Sequence, residues 1–307
     1  MSLEINKVLI IGIGSIAKKH IAALRTINED VRIYGLRSST KSTKLEGITD
    51  IYNLDELDFA PDFVIISNPT YSHYQTIEEC IKLQCPLFIE KPILSRLENG
   101  EALIQKIEKE NIFTYVACNL RFHPVLQSLK NRLESESLRV EEVNVYCGSY
   151  LPDWRKGIDY KENYSAIASK GGGVHLDLIH EIDYCYWLFG SPIEVKKILT
   201  SNSHIDVDSV DYANYALIYD SFVVNIVLNY FRKSPKRTIE IVTEEKIILG
   251  DILENKVHIS TLHTHEKFKI NNTYADQLNY FIKHINGSKG IMNTAKEAFE
   301  VLKIVLA

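Results

Sequence analysis

One stretch near the start of the chain, Val8-Leu9-Ile10-Ile11-Gly12-Ile13-Gly14-Ser15-Ile16-Ala17-Lys18-Lys19-His20, restricts the fold more than any other. An apolar run short enough for a single buried strand ends on Gly12, and a helical pattern begins at Ser15. Gly12 permits a tight turn after the strand. Gly14, with no side chain, lets a pyrophosphate lie against the backbone, and Ala17 is small enough for helix and strand to pack closely. A helix opened by Ser15 and Ile16 turns its unbonded N–H groups and the positive end of its dipole toward the phosphates. In this strand–turn–helix context the G-x-G-x-x-A triplet predicts a dinucleotide-binding turn. A purely structural βα turn is the alternative.

Residues 7–118 continue the alternation. Strand-like runs occupy 7–11, 31–36, 62–67, 86–90 and 112–118, and helical patterns about 15–27, 71–83 and 95–110. This is the pattern of a parallel sheet covered on both faces, whose ligands sit beyond the carboxyl ends of the strands. At the end of the second strand, an Asp or Glu about twenty residues past the glycines would accept hydrogen bonds from an adenosine ribose. The chain reads Arg37-Ser38-Ser39-Thr40-Lys41 there. A guanidinium with two hydroxyls and a nearby lysine suits a 2′-phosphate, so NADP is the expected cofactor and NAD the second choice. A solvated turn is the plainer reading. Glu90-Lys91-Pro92 ends the fifth strand on the same rim, which puts a lysine at the nicotinamide end of a bound cofactor, with a proline able to take a cis bond.

Residues 122–307 read differently. Helical stretches near 122–134 and 174–189 are followed by β-rich runs at about 193–200, 209–219, 222–231, 237–243, 246–250 and 255–260, then helices at about 273–286 and 294–306. Tight spacings such as Tyr219-Asp220-Ser221-Phe222 imply hairpins. The fold class is therefore α/β: a dinucleotide-binding domain over 1–121 and an α+β domain over 122–307 with a large, mainly antiparallel open sheet. No flexible spacer separates them, and a shared cleft is expected.

Within the second half, Gly171-Gly172-Gly173 precede a helix on which Asp177, His180 and Asp183 recur at i, i+3 spacing and can share a face. A histidine beside a carboxylate is a workable proton-transfer pair, because the carboxylate orients the imidazole and raises its basicity. A helix cap with an ordinary polar face is the alternative. His258, His263 and His265 have no acidic or cysteine partners nearby, and no metal is expected. The loop carrying Tyr150, Trp154, Arg155 and Tyr164 offers rings to stack on a sugar and an arginine for an anionic group. Arg121 and His123 either face the same substrate or fasten the structure.

A net charge of −5, with no block of lysine and arginine, speaks against a nucleic-acid footprint. The five cysteines are scattered without a C-x-x-C pair, which fits a reducing, cytoplasmic setting. No basic-then-apolar leader and no apolar run of roughly 18 residues is present, so no membrane association is expected.

Five motifs then fall in register. Gly12-x-Gly14-x-x-Ala17-x-x-His20, Asn68-Pro69-Thr70-x-x-His73, Glu90-Lys91-Pro92, Asn119-Leu120-Arg121-Phe122-His123-Pro124 and the 171–183 segment occur in the order and spacing of the glucose–fructose oxidoreductase/inositol dehydrogenase (Gfo/Idh/MocA) family, which the chain resembles over nearly its whole length. The resemblance implies a Rossmann domain followed by an α+β domain, and hydride transfer between a nicotinamide cofactor and a hydroxyl or keto carbon of a sugar. It implies cofactor contacts at Asn68, Pro69, His73 and Glu90, and catalytic roles for Lys91 and His180 with Asp177 as acidic partner. The family commonly sets that aspartate one residue further from the histidine, which leaves the role of Asp177 open. Family members with similar loops serve bacterial surface-sugar biosynthesis. A homodimer or homotetramer through the C-terminal sheet is expected, since an open sheet with long apolar strands needs its second face covered. A glycoside-cleaving enzyme of the same fold, or a non-catalytic cofactor-binding regulator, would carry the same nucleotide turn.

Overall fold

The computed structural model describes residues 5–155, 157, 159–261, 265–285 and 290–307. The chain divides into two compact units, Met1–Asn119 with Asn272–Ala307, and Leu120–Asn271.

The first unit begins β1 (Lys7–Ile11), α1 (Ser15–Ile27), β2 (Arg32–Leu36), β3 (Ile48–Ile51), β4 (Phe63–Ile66), α2 (His73–Ile81), β5 (Leu87–Ile89), α3 (Gly100–Lys109) and β6 (Thr114–Val116). The six strands are parallel, in the order β3-β2-β1-β4-β5-β6. Val8–Ile11 and Phe63–Ile66 are buried at every residue, as strands covered on both faces must be. On α1 the buried residues Ala17, His20, Ala23 and Leu24 lie along one face, which packs on the sheet. The strand order reverses at β1 and β4, and the crevice beyond their carboxyl ends is where a doubly wound sheet binds its ligand. The short β3 escapes the sequence pattern, because only Ile51 of its four residues is buried.

The second unit runs α4 (Pro124–Ser135), β7 (Val140–Tyr150), α5 (Val174–Asp177), α6 (His180–Phe189), β8 (Glu194–Thr200), β9 (Tyr212–Ile218), β10 (Val223–Asn229), β11 (Phe231–Thr243), β12 (Ile247–Asp251), β13 (Lys256–Ile259) and β14 (His265–Lys267). Its sheet has the order β14-β13-β12-β11-β7-β10-β9-β8 and is antiparallel except for β7 with β10. Burial alternates. Val143, Val145, Val224, Ile226, Ala213 and Tyr215 are buried, while Asn144, Tyr146, Asn225, Val227 and Asn214 between them are only half-buried. On that less buried face Asn225 donates to Asn144 Oδ1 (3.3 Å) and Asn144 donates to Glu240 Oε2 (3.2 Å).

Two expectations need correcting in this unit. β7, in the middle of the sheet, has no counterpart among the predicted strands, because Glu141, Glu142 and Asn144 dilute its apolar pattern. The helix expected over 174–189 is broken: Leu178 adopts φ −99°, ψ 31°, and α6 starts afresh at His180.

The chain ends in α7 (Thr273–His284) and α8 (Ala295–Leu306). Residue 286, the expected end of the first of these, lies outside the described residues. The sequence division assigned both helices to a 122–307 domain, but they belong to the first unit. Phe281 packs edge-on against Phe63 and Phe88, with ring centroids 5.1 and 5.4 Å apart. Asn293, fully buried, donates from Nδ2 to Val116 O (2.7 Å) and accepts the Val116 N–H at its own carbonyl (2.8 Å). Those bonds satisfy the backbone edge of β6, which would otherwise stay unpaired. Among the described residues no helix is long and apolar enough to cross a membrane, and all five cysteines are buried thiols.

Candidate active site

The nucleotide half is built from four strand ends of the first unit, those of β1, β2, β4 and β5. After β1 the chain turns at Gly12 with φ +84°, and a Cβ there would stand 2.5 Å from Asn68 Cα and 2.6 Å from Asn68 N. Only glycine fits, because the backbone beyond β4 closes against it. Ser67 Oγ donates to Gly12 O (2.8 Å) and fixes the approach. Gly14 differs: φ is −93°, and nothing lies within 4 Å of a Cβ built on it. That open space is the cradle a pyrophosphate needs. Gly14 caps α1 without a side-chain hydrogen bond, no acidic residue stands in the first turn, and Ser15 is exposed with Ile16 half-buried behind it. The helix N–H groups and dipole therefore meet no competing anion from that turn. Ala17 is fully buried against the sheet. These residues fit a nicotinamide dinucleotide.

At the end of β2 the expected open cradle is altered. Arg37 is buried, its Nε donating to Asp50 Oδ1 (2.7 Å) and its Nη2 to Thr43 O (2.9 Å). The guanidinium thus already has a carboxylate partner, while Ser38 and Ser39 are exposed. The same pair neutralises Asp50, the acidic group on this rim that could have held ribose hydroxyls. Asn68, half-buried, donates to Thr76 Oγ1 (2.7 Å), and its Oδ1 is buried with no partner, an acceptor left for a ligand donor. Pro69 is exposed beside it.

The turn after β5 carries Glu90 and Lys91, and the Lys91–Pro92 peptide is cis. Glu90 is 8% exposed, and its Oε1 lies 2.5 Å from His20 Nε2. Its Oε2 accepts the Lys91 backbone N–H (3.2 Å), and Lys91 itself is half-buried. His73, expected to touch the cofactor, is fully buried and meets backbone instead: Nδ1 lies 3.1 Å from Pro92 O and Ile93 O, and Nε2 3.0 Å from Asn68 O. Burial lowers its pKa below the usual histidine value, with those carbonyls and Glu90 pulling the other way.

The second unit supplies a different cluster. His180 opens α6 and is half-buried, as is Asp177 at the end of α5. Asp177 Oδ2 accepts a hydrogen bond from Tyr230 Oη at 2.5 Å. Tyr164 is an exposed residue, but its hydroxyl is partly desolvated where it stands at Asp177, and that, with the nearby carboxylate, raises the phenol's pKa. The Trp154 ring meets the Tyr230 ring edge-on at 5.2 Å while its Nε1 donates to Ser149 Oγ (2.9 Å). The Arg155 guanidinium lies 5.4 Å from the centre of the Tyr164 ring. Tyr150 is stacked on His204 at 6.1 Å. Trp154, Arg155 and Tyr164 thus gather about Asp177, with Tyr150 on the adjoining strand end.

Arg121 and His123 do not join them. Arg121 is fully buried, its Nε and Nη2 bonded to Asp183 Oδ2 (3.0 Å) and Oδ1 (2.7 Å). The guanidinium is held inside the unit and takes Asp183 with it, so Asp183 points away from the face that Asp177 and His180 were expected to share with it. His123 caps α4, its Nδ1 accepting the Val125 N–H (3.3 Å), and burial lowers its pKa. The glycine run before α5 is tight for a similar reason: a Cβ on Gly173 would stand 2.6 Å from the His175 ring. Late in the chain, the His258 and His265 rings are 4.8 Å apart, and His263 lies outside the described residues. Among the described residues no three His, Cys, Asp or Glu side chains gather as a metal site would require.

Tyr230 escapes a reading of the sequence alone. It stands 53 residues from Asp177 at the end of an apolar strand, where no local pattern marks a tyrosine whose hydroxyl is used. His20 and Glu90 carry a signal, since both sit in the family-like motifs, but their pairing is a property of the fold.

A parallel sheet with this strand order and a glycine turn opening onto a helix N-terminus is the arrangement of a dinucleotide-binding domain. Residues 6–117 match the model of the oxidoreductase family with an NAD-binding Rossmann fold, and residues 127–249 match the GFO/IDH/MocA C-terminal domain. The chain belongs to the Gfo/Idh/MocA oxidoreductase family. It is 25% identical over 234 residues to the uncharacterized oxidoreductase YrbE of Bacillus subtilis (strain 168), a match covering 72% of this chain and 65% of that protein. It is 26% identical over 235 residues to the glucose-6-phosphate 3-dehydrogenase of the same organism, covering 72% of this chain and 67% of the relative. The chain thus spans about two thirds of the length of these relatives. Among solved structures, levoglucosan dehydrogenase in complex with NADH shares the fold with a TM-score of 0.85 at 16% identity, over 98% of this chain and 95% of that one.

Proposed function

We propose that this chain exchanges a hydride between NADP(H) and a hydroxyl-bearing carbon of a sugar or sugar derivative. The reading is carried by one observation, the glycine turn, where open space over Gly14 meets an uncapped helix N-terminus free of acidic residues. Gly12, Gly14, Ser15 and Ile16 would hold the pyrophosphate, with Asn68, Pro69, Glu90 and Lys91 toward the nicotinamide end. Ser38 and Ser39 beside Arg37 would receive a 2′-phosphate, and the presence of Arg37 at the end of β2, where an acidic residue would bind the ribose hydroxyls of NAD, supports NADP over NAD. A bound nicotinamide nucleotide supplies the hydride acceptor in one direction and the donor in the other.

The chain supplies proton transfer and electrostatics. His180 takes the proton of the reacting sugar hydroxyl during oxidation and returns it during reduction. The Lys91 ammonium donates to the reacting oxygen and stabilises its developing negative charge. Asp177, oriented by Tyr230, accepts a hydrogen bond from a neighbouring sugar hydroxyl. Trp154, Tyr150 and Tyr164 offer rings for the sugar, and Arg155 favours an anionic substituent. The less buried face of the second sheet carries Ile198, 62% exposed, and Ile247, 41% exposed, which supports a homo-oligomer through that face. Light scattering on the purified protein tests it, and a monomer sinks it.

Titrating the protein fluorometrically with NADPH and with NADH tests the cofactor reading, and following NADP reduction over free and nucleotide-linked sugars tests the reaction. Tighter binding of NADPH with turnover of at least one sugar is expected. Binding of neither nucleotide returns the glycine turn to a structural role.

A further inference from the structure

The Glu90–Ile93 turn is gripped from both sides by buried imidazoles. His20, on α1, is fully buried, and edge-on ring contacts with Phe88 (5.1 Å) and Tyr274 (5.7 Å) fix its orientation. Its Nε2 holds Glu90 Oε1 at 2.5 Å, and the other carboxylate oxygen accepts the backbone N–H of Lys91. His73, the first residue of α2, is equally buried and reaches the carbonyls of Pro92 and Ile93 on the far side of the lysine. A neutral imidazole has one N–H, which this grip places on Nδ1, and the other nitrogen lies 3.0 Å from the carbonyl of Asn68, on the loop that closes over Gly12.

We propose that His20 and His73 are positioning residues for Lys91, clamping its turn at both ends and thereby fixing where its ammonium stands. The proposal rests on the reading that Lys91 polarises the sugar oxygen. Beyond β5 the chain leaves the sheet, so the carbonyls of Pro92 and Ile93 lose a strand partner, and proline offers no N–H of its own. Apolar side chains would leave those carbonyls without these donors and the Glu90 carboxylate with only the Lys91 N–H. Two imidazoles satisfy them, and each is anchored in a helix that packs on the sheet. A lysine side chain is long and flexible, so small rotations of its backbone become displacements of about 1 Å or more at Nζ, enough to cost about a hundredfold in rate. The clamp thus converts helix packing into placement of a charge.

The test separates placement from general stability. Lysines of the whole protein are dimethylated with isotope-labelled formaldehyde, and the Lys91 NMR signal is identified by its loss in Lys91→Arg. In His20→Leu and His73→Leu the Lys91 signal is expected to move and broaden while the other lysine signals hold. His20→Gln and His73→Asn, whose amide nitrogens overlay Nε2 and Nδ1, are expected to restore it. Should the leucine variants not fold, His20→Asn, one methylene too short to reach Glu90, takes their place. With NADP and a turned-over sugar, His20→Leu is expected to lower kcat about 10- to 100-fold at unchanged NADPH affinity, but less than about twofold in a Lys91→Ala background. A Lys91 signal unmoved in the His20 and His73 variants, or an equal loss of kcat in both backgrounds, overturns the proposal. A Lys91 signal that moves in a protein turning over no sugar upholds the clamp and overturns the catalytic reading of Lys91.

Discussion

In the parallel sheet, every residue of Val8–Ile11 and Phe63–Ile66 is buried, and the candidate cofactor contacts Gly12, Gly14, Asn68 and Glu90 lie in the turns beyond the strands. In the second sheet, burial alternates along β7, β9 and β10, and a polar contact of the candidate site comes from the framework itself, where Tyr230 at the end of a strand donates to Asp177. The difference is physical. Strands covered on both faces have no side of their own to offer a ligand, so binding falls to backbone N–H groups and strand-end residues, which short motifs can describe. A one-sided sheet can lend side chains to a site from positions far apart in the chain, and no short motif joins them.

Several substitutions press on that contrast. The largest effects are expected at the two groups of the proposed reaction: Lys91→Ala and His180→Asn should each lower kcat by about a hundredfold or more while NADPH affinity stays near wild type, as turnover assays and fluorescence titration would show. Equal turnover in either variant removes that residue from the reaction. Within the glycine turn, Gly12→Ala should cost about 3 kcal/mol or more of stability in a denaturant titration, since a Cβ would meet the Asn68 backbone at positive φ. Gly14→Ala, with open space around it, should leave stability nearly unchanged and weaken NADPH binding. If the two behave alike, the turn is not a cradle.

In the second unit, burial lowers the pKa of His175 to about 4 from an ordinary 6.5. The unfolded chain therefore takes up that proton first as the pH falls. Stability present above about pH 6.5 should drain away toward pH 4, by about 3 kcal/mol from this residue, and His175→Gln should remove that part of the slope. Urea midpoints across that range would measure it. Tyr230→Phe, which deletes only the hydroxyl on Asp177, should lower kcat/KM for the sugar about tenfold without changing nucleotide affinity. A change in NADPH binding would mean that the two units do not divide their labour as described. The smallest effect is expected at Asp50→Asn, which frees Arg37 from its partner and should raise the NADPH-to-NADH affinity ratio about threefold.

The first unit is largely legible in the sequence because its signals are local. α1 runs over the expected residues 15–27, and the strand ends bearing Gly12, Asn68 and Lys91 follow from apolar runs and the turns that stop them. Arg37 is legible as a position but not as a paired charge, because Asp50 lies on β3, a strand too short and polar to stand out. Arg121 is legible as a motif position but not as half of a buried ion pair: nothing local points to Asp183, which accepts from its Nε and Nη2. Asp177, His180 and Asp183 are spaced to share a helical face, and the break at Leu178 undoes that periodicity.

The sequence by itself determined the doubly wound nucleotide unit, the glycine turn and the antiparallel character of the second sheet, since strand runs, turn residues and helical periods are set among near neighbours in the chain. Only the tertiary structure decided that α7 and α8 complete the first unit, that β7 lies mid-sheet, that Tyr230 holds Asp177 and that His20 and His73 bracket Lys91. Each of those depends on groups brought together across long chain separations. There the need to cover a bare strand edge or to satisfy a buried polar atom chooses the partner, and local spacing has no bearing on it.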